Sequence, residues 1–147
     1  MKRISIIAIL IVITLLACEK YKDFEGTYDL KSNGNIKVSV LNMDTTFVNE
    51  PGLTIIKKGG ENDELFIYVE TGFITSVAPL GVYATAKVDG NKYEMDAKSL
   101  TINFLGLPFN FTVDGSGTLS DKNEVLTSEI VFSGGIVGTM TSVGSKR

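Results

Sequence analysis

Residues 82–104 read VYATAKVDGNKYEMDAKSLTINF, and this stretch decides the fold class. Over residues 82–88 apolar and polar side chains alternate one by one, which is the pattern of a β-strand with one buried face. Asp89-Gly90 then forms a dipeptide typical of tight turns. The alternation resumes and slips by one residue near Lys98-Ser99, where an extra residue predicts a β-bulge. The stretch therefore predicts a bulged β-hairpin.

The same signals continue on both sides of that hairpin, and no segment has convincing helical periodicity. Asn33-Gly34 is a further turn dipeptide, and it divides the first alternating run into two predicted strands. Asp114-Gly115 is either a turn or a kink inside a longer strand. We predict nine strands, with these approximate limits: 24–32, 35–43, 52–58, 64–71, 82–88, 91–104, 108–119, 124–133 and 136–143.

Most of the connections between these strands are two to five residues long, which forces neighbouring strands to be antiparallel. Two connections, 44–51 and 72–81, are long enough to cross between sheets. The fold class predicted is all-β, an antiparallel meander of about eight to nine strands closing into an up-and-down barrel, with a β-sandwich as the alternative. Residues 65–69 are apolar without interruption, which predicts a strand covered on both faces.

The N-terminus has the composition of an export signal. Met1-Lys2-Arg3 is basic, and the fourteen residues 4–17 are apolar except for Ser5 and Thr14. That run is shorter than the roughly 20 residues a membrane-spanning helix needs, so it predicts a secretory signal peptide.

Leu15-Leu16-Ala17-Cys18 resembles the lipobox of bacterial lipoproteins. The resemblance implies cleavage after Ala17 and attachment of lipid to Cys18, so that the membrane is a partner through this residue. In enteric lipoproteins an Asp directly after the cysteine is the signal for retention in the inner membrane. Glu19 takes that place here, so the resemblance favours the outer membrane. The periplasmic and cell-surface faces both remain open. The predicted organisation is a signal peptide at 1–17, the lipidated Cys18 with a tether at 18–23, and a single β-barrel domain at 24–147.

Composition excludes several classes of function. The chain has no His and a single Cys, so a Ser-His-Asp triad, a Cys-His pair, a His-ligated zinc site and an intrachain disulfide are not available. Without residues 1–17 the chain has 12 basic and 17 acidic side chains, a net charge of −5, and Arg147 as its single arginine. This composition argues against a nucleic-acid partner. We predict a non-enzymatic protein with no cofactor and no metal site.

Phe24-Glu25-Gly26-Thr27-Tyr28 opens the first predicted strand. It is similar to the Gly-x-Trp entry of the calycin superfamily, which includes the lipocalins, with Tyr28 in the aromatic place. Trp is usual there, and the partner arginine that lipocalins carry near the last strands has no candidate in this chain, where only Arg147 exists. With the meander and the lipobox, the resemblance implies a bacterial lipoprotein with a calycin-like barrel.

Two alternatives to a ligand-binding barrel rest on acidic side chains: a Ca²⁺ site and a glycosidase site. Glu61, Asp63 and Glu64 share one loop and supply oxygen ligands of the type Ca²⁺ accepts, although acidic loop residues are more often solvated. A glycosidase would need two carboxylates facing each other in a cleft. Four further acidic residues lie on predicted strands and could pair in principle: Glu70, Glu94, Asp96 and Glu129.

Two connections, 72–81 and 105–108, are unusually apolar for loops. Exposed apolar loops mark a ligand mouth or a protein interface, and the alternative is that they plug the barrel end. We predict a small apolar or amphipathic ligand, held by residues at the mouth, and the alternative function is an interaction or inhibitor module that binds an envelope protein through the same loops. The predicted mouth residues are Phe73, Ile74, Leu80, Leu105 and Leu107.

Overall fold

The computed structural model describes residues 21–61, 63–72, 81–104, 107–120, 122 and 124–147, with the backbone alone at Phe104 and Leu107. Within them, eight strands each pair antiparallel with the next, and the last pairs with the first, so the sheet closes into a barrel. The fold class is confirmed as an all-β up-and-down barrel, and the sandwich alternative is wrong. The strands are β1 Gly26–Val38, β2 Met43–Lys58, β3 Glu64–Thr71, β4 Val82–Asp89, β5 Lys92–Phe104, β6 Leu107–Leu119, β7 Val125–Gly134 and β8 Ile136–Lys146.

Each strand buries alternate side chains, as its sequence pattern predicts. In β4 the apolar positions are at most 8% exposed, while Tyr83 between them is 45% exposed. The inner faces of all eight strands together form one apolar core. Because successive side chains of a strand point to opposite sides, the strand pattern alone fixes which residues fill the barrel.

The prediction of two strands separated by a turn at Asn33-Gly34 is wrong. β1 runs through both residues, and a single 3-10 turn at Ser39–Leu41 connects it to β2. Gly34 is needed for packing, because a Cβ there would lie 2.7 Å from the ring of Phe47 on β2. Gly34 therefore allows close packing across the sheet, and it does not reverse the direction of the chain.

The expectation that 44–51 and 72–81 could cross between sheets is also wrong. Residues 44–51 belong to β2, which contains one extra residue opposite the register shift between Ser32 and Gly34. Asn49, in that bulge, has φ of 54°. Residues 72–81 join β3 to β4, which are direct neighbours in the barrel.

The predicted bulge in β5 is confirmed. Met95 lies opposite Gly115 and Lys98 lies opposite Val113, so β5 has one more residue than β6 over this interval. Asp114-Gly115 lies inside β6 and makes no turn, as the second interpretation of that dipeptide predicted. The bulge reverses which residues of β5 face inward beyond it.

The apolar run 65–69 is covered on one face, not two. Leu65, Ile67 and Val69 are buried, but Phe66 is 38% exposed on the outer wall. There its ring stacks on Tyr83, with centroids 5.8 Å apart. Phe66 and Tyr83 form an exposed aromatic pair that the continuous apolar run did not predict.

Candidate functional site

One end of the barrel, here called the closed end, is sealed by the chain that enters β1. Residues 21–24 form a turn that places Phe24 fully inside, in edge-to-face contact with Tyr93 at 5.8 Å between centroids. The hydroxyl of Tyr28 donates to the carbonyl oxygen of Phe24 at 2.9 Å. Burial, with the nearby charge of Asp23, raises the pKa of Tyr28 to about 12. These contacts leave the first aromatic of β1 dry and neutral at the base of the barrel.

Lys146, at the end of β8, completes the closed end. Its ammonium lies 5.8 Å from the ring centroid of Tyr28 and donates to the carbonyl oxygen of Asp23 at 3.0 Å. The sequence offered no candidate for a partner arginine near the last strands, since Arg147 is the single arginine after residue 17. Arg147 instead donates to the carboxylate of Asp29 on the outer wall, where this hydrogen bond lowers the pKa of Asp29. The missed signal was a lysine, rather than an arginine, in register with the first aromatic of β1.

The middle of the barrel contains buried hydroxyl groups. Ser32 and Ser142 share a hydrogen bond of 2.7 Å across the β1–β8 seam. Burial raises the pKa of Tyr93, while a hydrogen bond with Ser128 acts to lower it. Gly117 makes room for the ring of Tyr93, which a Cβ at that position would overlap. These groups are satisfied by one another, so they specify packing rather than offering a reactive centre.

The opposite end, here called the open end, is where β1, β3, β5 and β7 finish. Five apolar side chains of the described residues pack against the core and remain partly exposed; Tyr21 lies at the closed end, and the other four lie near the open end. The four are Leu41, Met43, Leu100 and Ile102. Partly exposed apolar side chains on the core are thus more numerous at the open end than at the closed end within the described residues.

The predicted site residues fall almost entirely outside the described part of the chain. Cys18, Phe73, Ile74, Leu80 and Leu105 all lie outside the described residues, and for Leu107 the backbone alone is described. The strand ends next to both apolar connections, Thr71 and Val82 for the first and Phe104 and Leu107 for the second, lie at the open end. The topology brings the two connections to one end, and the roles of their side chains remain predictions.

The acidic loop has a structural explanation. The carboxylate of Glu64 accepts hydrogen bonds from the backbone N–H groups of Gly60 and Glu61, which fixes the β2–β3 turn. Asp63 accepts through its backbone, from the N–H of Val88. Across the described ranges, no group of three or more Asp, Glu or Cys side chains is arranged to hold a metal ion.

Three of the four strand carboxylates come together on the outer wall. Glu94, Asp96 and Glu129 line a shallow groove of about 480 Å³ beside the β5 bulge, together with Asp114. Glu70 lies elsewhere, on β3, where its carboxylate accepts from the hydroxyl of Tyr68 at 3.1 Å. The groove is open, and its lining combines these carboxylates with Met95 and Val131.

The described residues thus define a small closed antiparallel barrel with Phe24 buried at one end. No family model and no curated protein matches this sequence. Among solved structures, a redesigned β-barrel is similar, with a TM-score of 0.53, 12% sequence identity, and coverage of 88% of this chain and 96% of that chain. At this identity the similarity concerns the fold alone. In the described residues, no helix is long and apolar enough to cross a membrane.

Proposed function

We propose that this protein is a non-enzymatic lipoprotein of the bacterial envelope, anchored in the outer membrane through Cys18, whose calycin-like barrel binds a small apolar or amphipathic ligand. The observation that carries the proposal is the inequality of the two barrel ends. Phe24 is fully buried at the closed end, while Leu100 and Ile102 are partly exposed toward the open end. An eight-stranded barrel has room for one small ligand at most.

The closed end supports the calycin-like assignment. Calycins place an aromatic residue after the first glycine of β1, and lipocalins pack a cation from the last strands against it. Here Tyr28 and Lys146 take these two places, with the ammonium 5.8 Å from the ring centroid. A cation over an aromatic face is attracted by the ring electrons, so lysine can replace arginine in this role.

The chain enters the barrel at the closed end, where residues 21–24 lie. Five residues, 19–23, separate Cys18 from Phe24, and such a segment spans at most about 20 Å when extended. A lipidated Cys18 would therefore hold the closed end near the membrane and direct the open end away from it. Ligand exchange would then occur on the side facing the periplasm or the medium.

Native mass spectrometry of residues 19–147 tests ligand binding, because this chain contains every strand of the closed barrel. We expect a bound mass after purification or after incubation with 1-dodecanol, and its loss on organic extraction. Ile102→Asp, near the open end, should abolish the added mass. Val125→Asp, at a 38% exposed position at the closed end, is the matched control and should retain it. Equal binding by both variants would refute a site at the open end.

A second candidate function is a protein-interaction module, favoured by the exposed aromatic pair of Phe66 and Tyr83. Aromatic side chains are more frequent at protein–protein interfaces than on the rest of the protein surface. Crosslinking in intact cells, with the native chain compared to Phe66→Ala, distinguishes this candidate. A crosslinked envelope protein that is lost in the variant, combined with no ligand mass, would favour the interaction module.

A further inference from the structure

The outer wall of β2, β3 and β4 carries a surface of apolar and aromatic side chains. Ile55, Tyr68 and Tyr83 lie directly opposite one another on the three strands. Phe66 lies two residues before Tyr68 on the same wall, and its ring stacks on that of Tyr83. Residues directly opposite each other in a sheet point to the same side, so these four side chains share the outer surface. This surface is here called the β2–β4 face.

The β2–β4 face differs from the rest of the outer wall. Phe66 and Tyr83 are the aromatic members of the set of large apolar side chains that are exposed within the described ranges. All other members of that set are valines, and on β8 two of them are separated by threonines. Large exposed apolar groups that adjoin one another mark a contact surface, whereas single ones are ordinary. The β2–β4 face is therefore a candidate contact surface.

Lysines border this face on two sides. Lys57 of β2 lies directly opposite Phe66, and the ammonium of Lys98 lies 3.8 Å from the ring centroid of Tyr83. In the part of the chain that the structure describes, neither lysine has a carboxylate within ion-pair distance. Both ammonium groups thus remain available to an anion outside the protein.

The two carboxylates on the same wall of β3 are already engaged within the protein. Glu64 accepts hydrogen bonds from backbone N–H groups of the β2–β3 turn, and Glu70 accepts one from the hydroxyl of Tyr68. Neither carboxylate is paired with a lysine of the face in the described ranges. The cations of the face are therefore the charged groups that are free to bind a partner.

The β2–β4 face adjoins the point where the tether leaves the barrel. The ring centroid of Tyr21 lies 5.0 Å from the ammonium of Lys58, the last residue of β2. Lys58 is the chain neighbour of Lys57, whose partner on β3 is Phe66. Tyr21 is three residues after Cys18, a distance that an extended chain spans with at most about 10 Å. A lipid on Cys18 therefore places the membrane surface beside this face.

We propose that the β2–β4 face rests on an anionic lipid surface, with Phe66 and Tyr83 at the level of the headgroups and Lys57 and Lys98 on lipid phosphates. This inference rests on the proposed function, from which it takes the anchor at Cys18. Tyrosine at the headgroup level and lysine with its apolar stem are typical of membrane interfaces. The closed end stays near the membrane, and the barrel leans on this wall.

Two physical arguments favour a lipid surface as the occupant. An acyl chain and a basic patch are two signals that together hold a protein at a membrane more firmly than one signal alone. A second copy docked on the same face would bring the lysines of both copies together, and like charges at an interface repel. Anionic lipid has the opposite charge to the lysines and lies within reach of the tether.

The test uses the single cysteine of the chain and its lack of tryptophan. Residues 18–147 are coupled through Cys18 to maleimide-bearing lipid in vesicles of brominated phosphatidylcholine and phosphatidylglycerol. A single tryptophan is introduced as Phe66→Trp on the face, or as Val143→Trp on β8 as the matched control. Phe66 is two residues from the closed end of β3 and Val143 is three residues from that of β8, so an upright barrel holds both at similar height.

We expect bromine to quench the tryptophan of Phe66→Trp about threefold more than that of Val143→Trp, because a surface resting on lipid reaches the headgroup level. Lys57→Glu should shift the leaning orientation about fivefold toward the upright one, since each lysine near an anionic surface contributes about that factor. Lys31→Glu is its matched control, because Lys31 is an exposed lysine opposite Val143, and it should leave the quenching unchanged. High salt should act like Lys57→Glu.

Equal quenching at the two tryptophan positions, or quenching that is unchanged in vesicles of phosphatidylcholine alone, would overturn the inference. The anchor is supplied chemically in this experiment, so that result would leave lipidation of the native chain untouched. Ligand binding by the barrel is measured separately by native mass spectrometry, and its failure would not alter the quenching. If an envelope protein covers the face instead, the two tryptophans are quenched equally and crosslinking of the native chain detects the partner.

Discussion

Replacing Phe24 by alanine would remove the side chain that seals the closed end. Phe24 is 0% exposed and lies edge-to-face on Tyr93. The carbonyl oxygen of residue 24 would still accept the hydrogen bond from Tyr28, so the substitution tests the ring and not the hydrogen bond. The change leaves a cavity at the base of the barrel, next to the point where the tether enters.

The expected loss in the free energy of unfolding is about 4 kcal/mol, because truncating a buried phenylalanine costs roughly 3–5 kcal/mol including its cavity. Phe66→Ala is the matched control. Phe66 is also in contact with one aromatic ring, but it is 38% exposed on the outer wall. Its loss should be about 1 kcal/mol.

Urea unfolding of residues 19–147, followed by circular dichroism, measures both variants. With an m-value of about 1.5 kcal/mol/M, Phe24→Ala should lower the midpoint by about 2–3 M and Phe66→Ala by less than about 1 M. An unchanged m-value would show that both variants unfold from the same compact state. If the two midpoints fell equally, Phe24 would not be buried in the native protein, and the sealed end would be refuted.

Three further predictions concern the barrel interior. Burial raises the pKa of Tyr28 to about 12 and raises that of Tyr93, so above pH 10 the unfolded chain loses protons that the folded chain keeps. Stability should then fall by about 1.4 kcal/mol per pH unit for each tyrosine, and thermal melts showing no decline from pH 9 to 12 would contradict their burial. Ser32→Ala leaves the Ser142 hydroxyl unpaired and should cost about 1–3 kcal/mol, part of which the double alanine variant should recover; strictly additive losses in urea titrations would argue against the pair. Gly138→Ala puts a methyl group against a backbone carbonyl of β1, so it should cost more than about 2 kcal/mol by the same titration, and a neutral effect would mean that the β1–β8 seam is looser than described.

The strand pattern was predictable where the deciding forces are local. The limits of β3 match the prediction of 64–71, and β4 to β7 match within one residue at each end, because alternation and turn residues mark them. The limits of the first strand were not predictable, because Asn33-Gly34 has the composition of a turn. The contact that keeps the chain extended there is made with Phe47, a residue of the next strand.

The candidate site was less predictable than the fold. The sequence predicted a site at the apolar connections 72–81 and 105–108. The topology brings the strand ends next to both connections to the same end of the barrel. The face on which Lys98 lies was not predicted, because it depends on where the bulge falls between Met95 and Lys98.

The sequence by itself determined that this chain forms antiparallel strands, which side of most strands is buried, and where most turns lie. These follow from the spacing of apolar side chains and from turn chemistry, which act over a few residues. The tertiary structure alone decided that eight strands close on one another and that Phe24 is buried at one end. Closure joins residues such as Ser32 and Ser142, 110 positions apart, and no local pattern carries information over that distance.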